Sequence, residues 1–141
     1  MRYLCFVSLS LLVALIGCAT QDKYDYRAFR KSNPKSILVV PVANNTVEVL
    51  AGDLFLCTIS QPLAERGYYI FPVNLVKEAL EDEGLSDSHL VHQADTTRLA
   101  ELFGADVVLY ISIEQWTAKY VLVSTTVEVK FNYLLKDGKT G

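Results

Sequence analysis

Residues 36–42, Ser-Ile-Leu-Val-Val-Pro-Val, form a continuous apolar run that is rich in β-branched side chains. A run without alternating polar positions is typical of a strand that is buried on both faces. Pro41 cannot donate a hydrogen bond to a ladder, so the run predicts a strand that ends near Pro41. A strand covered on both faces needs other elements above and below it, and this requirement decides the fold class that we expect.

The segments after this strand alternate between helical and extended patterns. Asp53 and Asp95 are plausible N-caps, and Gly67 and Gly104 are natural residues to follow a helix. Pro62 should kink the first of the helices or end it early. The predicted elements are, in chain order, a helix over 53–66, a strand over 68–71, a helix over 75–80, a helical turn within 85–94, a helix over 95–103 and strands over 107–113 and 120–135.

The order β-α-β-α-α-β-β predicts an α/β (α+β) fold, with a single mixed β-sheet packed against helices. The last strand alternates apolar and polar residues, as a half-buried antiparallel strand does. Asp137-Gly138 follows it as a hairpin signal, and a returning strand would lie beyond Gly141. We therefore expect residues 34–141 to form one mixed α/β domain that is incomplete on its C-terminal side.

The N-terminus has the features of an export signal. Arg2 gives a positive start, and residues 4–16 are uncharged and almost wholly apolar. This run is shorter than the roughly 20 residues that span a bilayer, so residues 1–17 indicate a signal peptide. Its end, Leu15-Ile16-Gly17-Cys18, resembles the bacterial lipobox, in which the cysteine receives lipid and becomes the new N-terminus. An ordinary signal peptide followed by a chance cysteine is the alternative.

The lipobox resemblance implies a lipid anchor on Cys18. Several acyl chains would hold the protein on the membrane, since each buried CH₂ contributes about 0.8 kcal/mol. Ala19 is similar to the outer-membrane class of the enterobacterial sorting pattern. Residues 18–33 would be the lipidated N-terminus and tether, whose basic and aromatic residues could rest on anionic headgroups or pack onto the domain.

Composition narrows the classes of function. Cleavage before Cys18 would leave 124 of the 141 residues, and without Arg2 there are 12 basic residues against 16 acidic ones. This mildly acidic balance gives no electrostatic case for nucleic acid. Cys5 leaves with the signal and Cys18 is lipidated, so Cys57 has no partner for an intrachain disulfide, and we interpret it as a packed hydrophobe.

No constellation of residues indicates a catalytic site, and we expect neither enzyme activity nor a cofactor. His89 and His92 share a helical face near two aspartates, but no distant ligand stands out, so we predict no metal site. An acidic patch at the end of the second helix is either a solvated face or a docking site for a basic partner. The candidate partner surface combines this patch with aromatics of the last strand, and its residues are Glu78, Glu81, Asp82, Phe131 and Tyr133.

Several segments carry a family resemblance. They are PKSILVVPVANNT, QPLAERGYYIFPVNLVKEALEDEGLSD, LFGADVVLYISIEQW and STTVEVKFNYLLKDGKTG. They resemble a lipoprotein family of Gram-negative bacteria whose domain has no assigned function. The resemblance implies a fold similar to the N-terminal domain of TolB and to curli-secretion lipoproteins, and it brings no catalytic residues. Family members continue past KDGKTG.

From this resemblance we expect a non-enzymatic outer-membrane lipoprotein that faces the periplasm, with exposure at the cell surface as an alternative. It would act as a protein-interaction subunit of a secretion or envelope-assembly complex. Its partners would be membrane lipid through Cys18, other envelope proteins and, as a candidate, further copies of itself. The alternative function is a periplasmic module that binds a small ligand or a glycan. A deep apolar pocket with convergent polar groups would favour this alternative.

Overall fold

The computed structural model describes residues 24–121 and 124–141, and side chains outside residues 118–125. The chain divides into two units, and the boundary along the sequence lies between Lys31 and Ser32. The described part of the first unit holds most of a short helix, α1 (Arg27–Ser32). Ahead of it, the Asp25 carboxylate accepts hydrogen bonds from the Arg27 backbone and guanidinium at 2.7 to 3.0 Å. The second unit contains the sheet.

The sheet begins with the apolar run quoted above. β1 (Ser36–Val39) is followed across Pro41 by a two-residue strand, β2 (Ala43–Asn44). β3 (Tyr69–Ile70) pairs in parallel with β1. The prediction of a fully buried strand is confirmed, because Leu38, Val39 and Val40 expose none of their surface. In β2, Asn44 pairs with Ile113.

Two long strands complete the sheet. β4 (Val107–Val121) pairs in parallel with β1 and β2 on one side and antiparallel with β5 (Ser124–Asp137) on the other. The sheet is therefore mixed, as predicted. The prediction of one strand over 120–135 was wrong, since β4 ends at Val121 and β5 begins at Ser124. Asp137-Gly138 begins a turn, in which the Asp137 carboxylate accepts the backbone N–H groups of Lys139 and Thr140 at 2.9 and 3.2 Å; the returning strand expected beyond Gly141 stays a prediction.

Helices cover both faces of the sheet. α2 (Ala51–Ala64) packs on one face, and α3 (Val73–Asp82), α4 (Ser88–Gln93) and α5 (Thr96–Phe103) pack on the other. Alternate strand residues point to opposite faces, so the β1 segment and β4 each contribute to two separate cores. The α2 core includes Ile37, Val39, Val107, Leu109, Ile111 and Ile113. The opposite core includes Leu38, Val40, Val76, Leu80, Leu99, Val108 and Tyr110.

Helix ends follow the predictions in part. Asp95 caps α5 through the N–H groups of Thr97 and Arg98, and Gly104 ends it in the left-handed conformation. α2 begins earlier than predicted, after Leu50, so Asp53 lies in its first turn. Pro62 stays inside α2, which continues only to Ala64. The proline therefore lies in the final turn, where the helix is close to its end.

A carboxylate joins the start of β1 to the start of β4. Asp106 Oδ2 accepts the backbone N–H groups of Lys35 and Ser36 at 2.7 and 3.0 Å. In return, the Asp106 N–H donates to Ser36 Oγ at 2.9 Å. These backbone hydrogen bonds, from Lys35 first, lower the pKa of Asp106. The cluster fixes the register in which two strands distant in sequence meet.

We expect Asp106→Asn to destabilise the domain by about 1.5 kcal/mol at pH 7, as loss of a charged hydrogen-bond acceptor does. A carboxyl whose folded-state pKa is lowered contributes stability above its unfolded pKa, near 3.9, and loses it as pH falls through the folded value. Urea unfolding of both proteins should therefore show a difference at pH 7 that shrinks towards pH 3. Asp82→Asn, on the exposed end of α3, is the control, and an equal loss there would refute the role of Asp106.

Candidate functional site

The acidic part of the predicted surface lies on α3. Glu78, Glu81 and Asp82 are all exposed, and α3 contributes Val76 and Leu80 to the core on its own face of the sheet. Within residues 24–121 and 124–141, none of these three acids forms an ion pair. The neighbouring Glu83 does, with Oε2 at 3.1 Å from Arg98 Nη2. The acids therefore form a solvated end of the helix.

The aromatic part lies on β5 and turns toward α2. The Phe131 ring packs on Phe55 of α2, with ring centroids 4.2 Å apart. Tyr133 lies 6.3 Å from Phe55 and 5.9 Å from Phe131, and 51% of it is exposed. Partial burial raises the pKa of the Tyr133 phenol. The acids and the aromatics are thus on opposite faces of the sheet, so the predicted residues do not form one partner surface.

The far part of the β4–β5 pair leaves the rest of the sheet. β1 last pairs with β4 at Leu109 and β2 at Ile113. The β4–β5 register shifts between Ile113 and Gln115. Beyond this irregularity, residues 115–121 and 124–130 pair only with each other in the described part of the chain. We call this two-stranded segment the arm, and sequence reasoning missed it because it read 120–135 as one strand.

The arm has an apolar side. Trp116 and Val129 lie near its base and are half-buried against the α2 core. Val127 is 54% exposed, and it shares the face of Val129 because strand residues two apart point the same way. The arm therefore continues the α2 face of the sheet beyond the last helix that covers it.

A loop with exposed apolar side chains lies beside the base of the arm. It joins β2 to α2, and Val47 and Val49 are 96% and 83% exposed. The Asn45 side chain donates to Glu114 Oε2 at 3.1 Å, and its backbone N–H donates to the Ile113 carbonyl at 2.9 Å. These bonds hold the loop against β4 at the point where its register shifts.

A small groove lies on the other side of the β4–β5 pair. Its volume is about 130 Å³, which is below the roughly 300–1,000 Å³ of pockets that enclose drug-sized ligands. It is lined by His92, Tyr110, Ser112, Asn132, Leu134 and Lys136. The groove is therefore too small to enclose a drug-sized ligand or a glycan chain.

His92 and Asp87, two of the residues considered as metal ligands, have other partners. His92 Nε2 lies 3.0 Å from the Pro41 carbonyl oxygen, and its ring meets the Tyr110 ring edge-on at 5.3 Å. Asp87 accepts the N–H of His89 at 2.8 Å and caps α4. Within residues 24–121 and 124–141, no group of three potential ligands could hold a metal ion.

The predicted anchor, Cys18, lies outside the described residues. Cys57 is an exposed free cysteine on α2, so the interpretation of a packed hydrophobe was wrong. No described helix is both long and apolar enough to cross a membrane.

Comparisons with known proteins find lipoproteins that are similar to this chain. The family model described as "Putative lipoprotein GNA1162-like" matches residues 24–141. The "Putative lipoprotein NMB1124/NMB1162" of Neisseria meningitidis serogroup B is 33% identical over 137 residues, which are 96% of this chain. The chain spans 64% of the length of that relative.

One solved structure shows the same architecture. The crystal structure of lipoprotein GNA1162 from Neisseria meningitidis matches with a TM-score of 0.71 and 32% identity, over 77% of this chain and 75% of that one. A hypothetical protein from Chlamydia trachomatis, CT253, matches with a TM-score of 0.46 and 14% identity, over 74% and 64% of the two chains. The first match confirms the mixed α/β fold.

Proposed function

The chain belongs to the GNA1162-like family of lipoproteins, and from this premise we propose that it is a lipid-anchored envelope protein whose domain binds other proteins. Acyl chains on Cys18 hold it at the outer membrane, and the domain faces the periplasm. The apolar leader and the lipobox-like Leu15–Cys18 support the lipid anchor. Ala19 supports the assignment to the outer membrane. The role is non-enzymatic, as part of a secretion or envelope-assembly complex.

The observation that carries the protein-binding role is the arm. An isolated two-stranded hairpin is marginally stable in water, and the arm pairs with no third strand in the described part of the chain. Its apolar side exposes Val127 and, on the adjoining part of β5, Tyr133. Burial of apolar surface contributes about 25 cal/mol of binding free energy for each Å² removed from water. A protein that covers this side of the arm would therefore bind more tightly.

The outer edge of β5 supports the same role. Among the described strands, β5 pairs only with β4, so its second side is an edge of the described sheet, at which either the returning strand expected beyond Gly141 or a strand from a partner could pair. Exposed edges accept strands from other chains, with backbone hydrogen bonds giving affinity and side-chain pockets giving specificity. The added strand would come from another envelope protein, and a second copy of this chain is the competing candidate.

In-cell photo-crosslinking tests the arm directly. A photoreactive residue is placed at Val127, and a matched one at Leu102, an exposed residue on α5 across the sheet with 46% exposure. We expect discrete crosslinked species from position 127 and none of the same mass from position 102. A crosslink between two copies would assign the edge to self-association.

A second experiment places a charge on the apolar side of the arm. With the photoreactive residue moved to Tyr133, the substitution Val127→Asp should reduce the crosslinked species at least fivefold while leaving the melting temperature nearly unchanged, because Val127 is half exposed. Unchanged crosslinks in the variant, or equal crosslinks from position 102, would contradict the proposal.

A further inference from the structure

The groove described above presents hydrogen-bonding groups that the fold does not use. Ser112 of β4 lies directly opposite Asn132 of β5 in the strand register. In the described part of the chain, neither side chain makes a hydrogen bond within the protein. Ser112 is partly buried and Asn132 is exposed, so both can reach a ligand that lies along the strands.

A cation stands at the other end of the groove. Lys136 Nζ lies 5.8 Å from the centre of the Tyr110 ring, which keeps the ammonium group close to the groove wall. Lys136 and the Asp95 carboxylate interact electrostatically. The Asp95 carboxylate caps α5 by accepting the N–H groups of Thr97 and Arg98 at 2.8 and 3.1 Å. Within the described residues it forms no ion pair with Lys136, so the ammonium group can pair with a second anion.

The floor of the groove is fixed by buried contacts. The Tyr110 hydroxyl and Thr96 Oγ1 are 3.0 Å apart, and both residues are buried. His92 is held by the Pro41 carbonyl, and burial lowers the pKa of its imidazole. The imidazole is therefore neutral near pH 7, which leaves Lys136 as the cation among the lining residues. Between the polar ends, Leu134 exposes 51% of its surface.

The groups that line the groove occur in a definite order: a hydroxyl and an amide at one end, apolar surface in the middle and an ammonium at the other. A saccharide that carries a carboxylate matches this order, because it has hydroxyls, an apolar ring face and one negative charge. From this geometry we propose that the groove binds one acidic monosaccharide unit, with Lys136 pairing with the carboxylate and Ser112 and Asn132 bonding the hydroxyls. A volume of about 130 Å³ holds one such unit rather than a chain.

Isothermal titration of the full lipidated chain in detergent micelles, with glucuronate as the probe, tests the proposal. We expect saturable binding with a dissociation constant on the order of 1 mM, as befits a small ligand with few contacts. Glucose, which lacks the carboxylate, should bind at least tenfold more weakly. Lys136→Gln should erase the difference between the two sugars, whereas Lys139→Gln, an exposed lysine outside the groove, should preserve it.

Two further measurements keep the outcome decisive. Ser112→Ala combined with Asn132→Ala should weaken both sugars and leave the preference for glucuronate in place. Inorganic phosphate should bind more weakly than glucuronate. If phosphate binds as tightly, or if glucuronate binds equally to Lys136→Gln, the saccharide site is refuted. The melting temperature of each variant distinguishes lost binding from lost folding.

Discussion

The substitution Gly138→Ala is expected to destabilise the domain by about 3 kcal/mol, at the upper end of the range for overpacking a closed site. A Cβ atom at this position would lie 2.7 Å from the Ala105 carbonyl oxygen, 2.8 Å from the Asp106 carbonyl oxygen and 2.8 Å from Ala100 Cβ. Two of these neighbours are backbone atoms, which cannot rotate away. The Gly138 N–H also donates to the Asp106 carbonyl at 2.8 Å, so the contact cannot open without losing a hydrogen bond.

Thermal unfolding measures this effect, and Gly104→Ala is its matched control. Gly104 has a φ of +68° with no atom within 4 Å of an added Cβ, so alanine there costs only the left-handed backbone, about 1 kcal/mol. In a domain of this size the melting temperature should fall by roughly 10 °C or more for Gly138→Ala and by about 4 °C for Gly104→Ala. Equal losses would show that close packing at Gly138 is unimportant.

The substitution Cys18→Ala is expected to abolish lipid attachment completely. The proposed anchor depends on a single thiol, and an alanine side chain offers no atom that could accept the acyl glyceride. Cells fed an alkyne fatty acid should label the wild-type protein and leave Cys18→Ala unlabelled, at the mass of the uncleaved precursor. Because the variant carries no acyl chains, it should also lose the stable membrane binding that they provide.

Cys57→Ala is the matched control for this experiment. Cys57 is an exposed thiol in the folded domain, and its removal should leave labelling, processing and membrane recovery unchanged. Persistent labelling of Cys18→Ala, or loss of labelling in Cys57→Ala, would overturn the assignment of the anchor.

Local signals predicted the elements that depend on neighbours in sequence. The apolar run of β1 was identified because a strand covered on both faces leaves no position for polar side chains. The end of α5 was identified because Gly104 adopts a conformation that other residues avoid. Asp95 was identified as a cap because its carboxylate reaches the first free N–H groups of the helix.

Features that depend on distant contacts were missed. The boundary between β4 and β5 escaped notice because the segment from Lys119 to Ser124 contains no glycine, proline, asparagine or aspartate. Asp137-Gly138 was interpreted only as a turn signal, and the close approach of Ala105 and Asp106 to Gly138 was missed. Only the paired strands reveal that approach, since the segments are over 30 residues apart.

The candidate site was predicted only in its parts. Phe131 and Tyr133 were expected at a partner surface, and they lie beside the exposed side of the arm. Glu78 was grouped with them although it lies across the sheet, because sequence does not show which face a helix covers. The groove was missed altogether, since its lining alternates along β5 with residues that face the opposite core.

The hydrogen bonds between Asp106 and the start of β1 have a consequence for the order of folding. Ser36 and Asp106 are 70 residues apart in sequence, so the chain must close a long loop before β1 gains its central neighbour. Closing such a loop costs conformational entropy before contacts repay it, and non-local pairings of this kind slow folding. The β4–β5 ribbon, formed by these two strands, needs no long loop, because β4 and β5 follow each other directly in the chain. We therefore expect the ribbon to form early and the docking of β1 onto it to limit the rate, with Asp106→Asn slowing refolding.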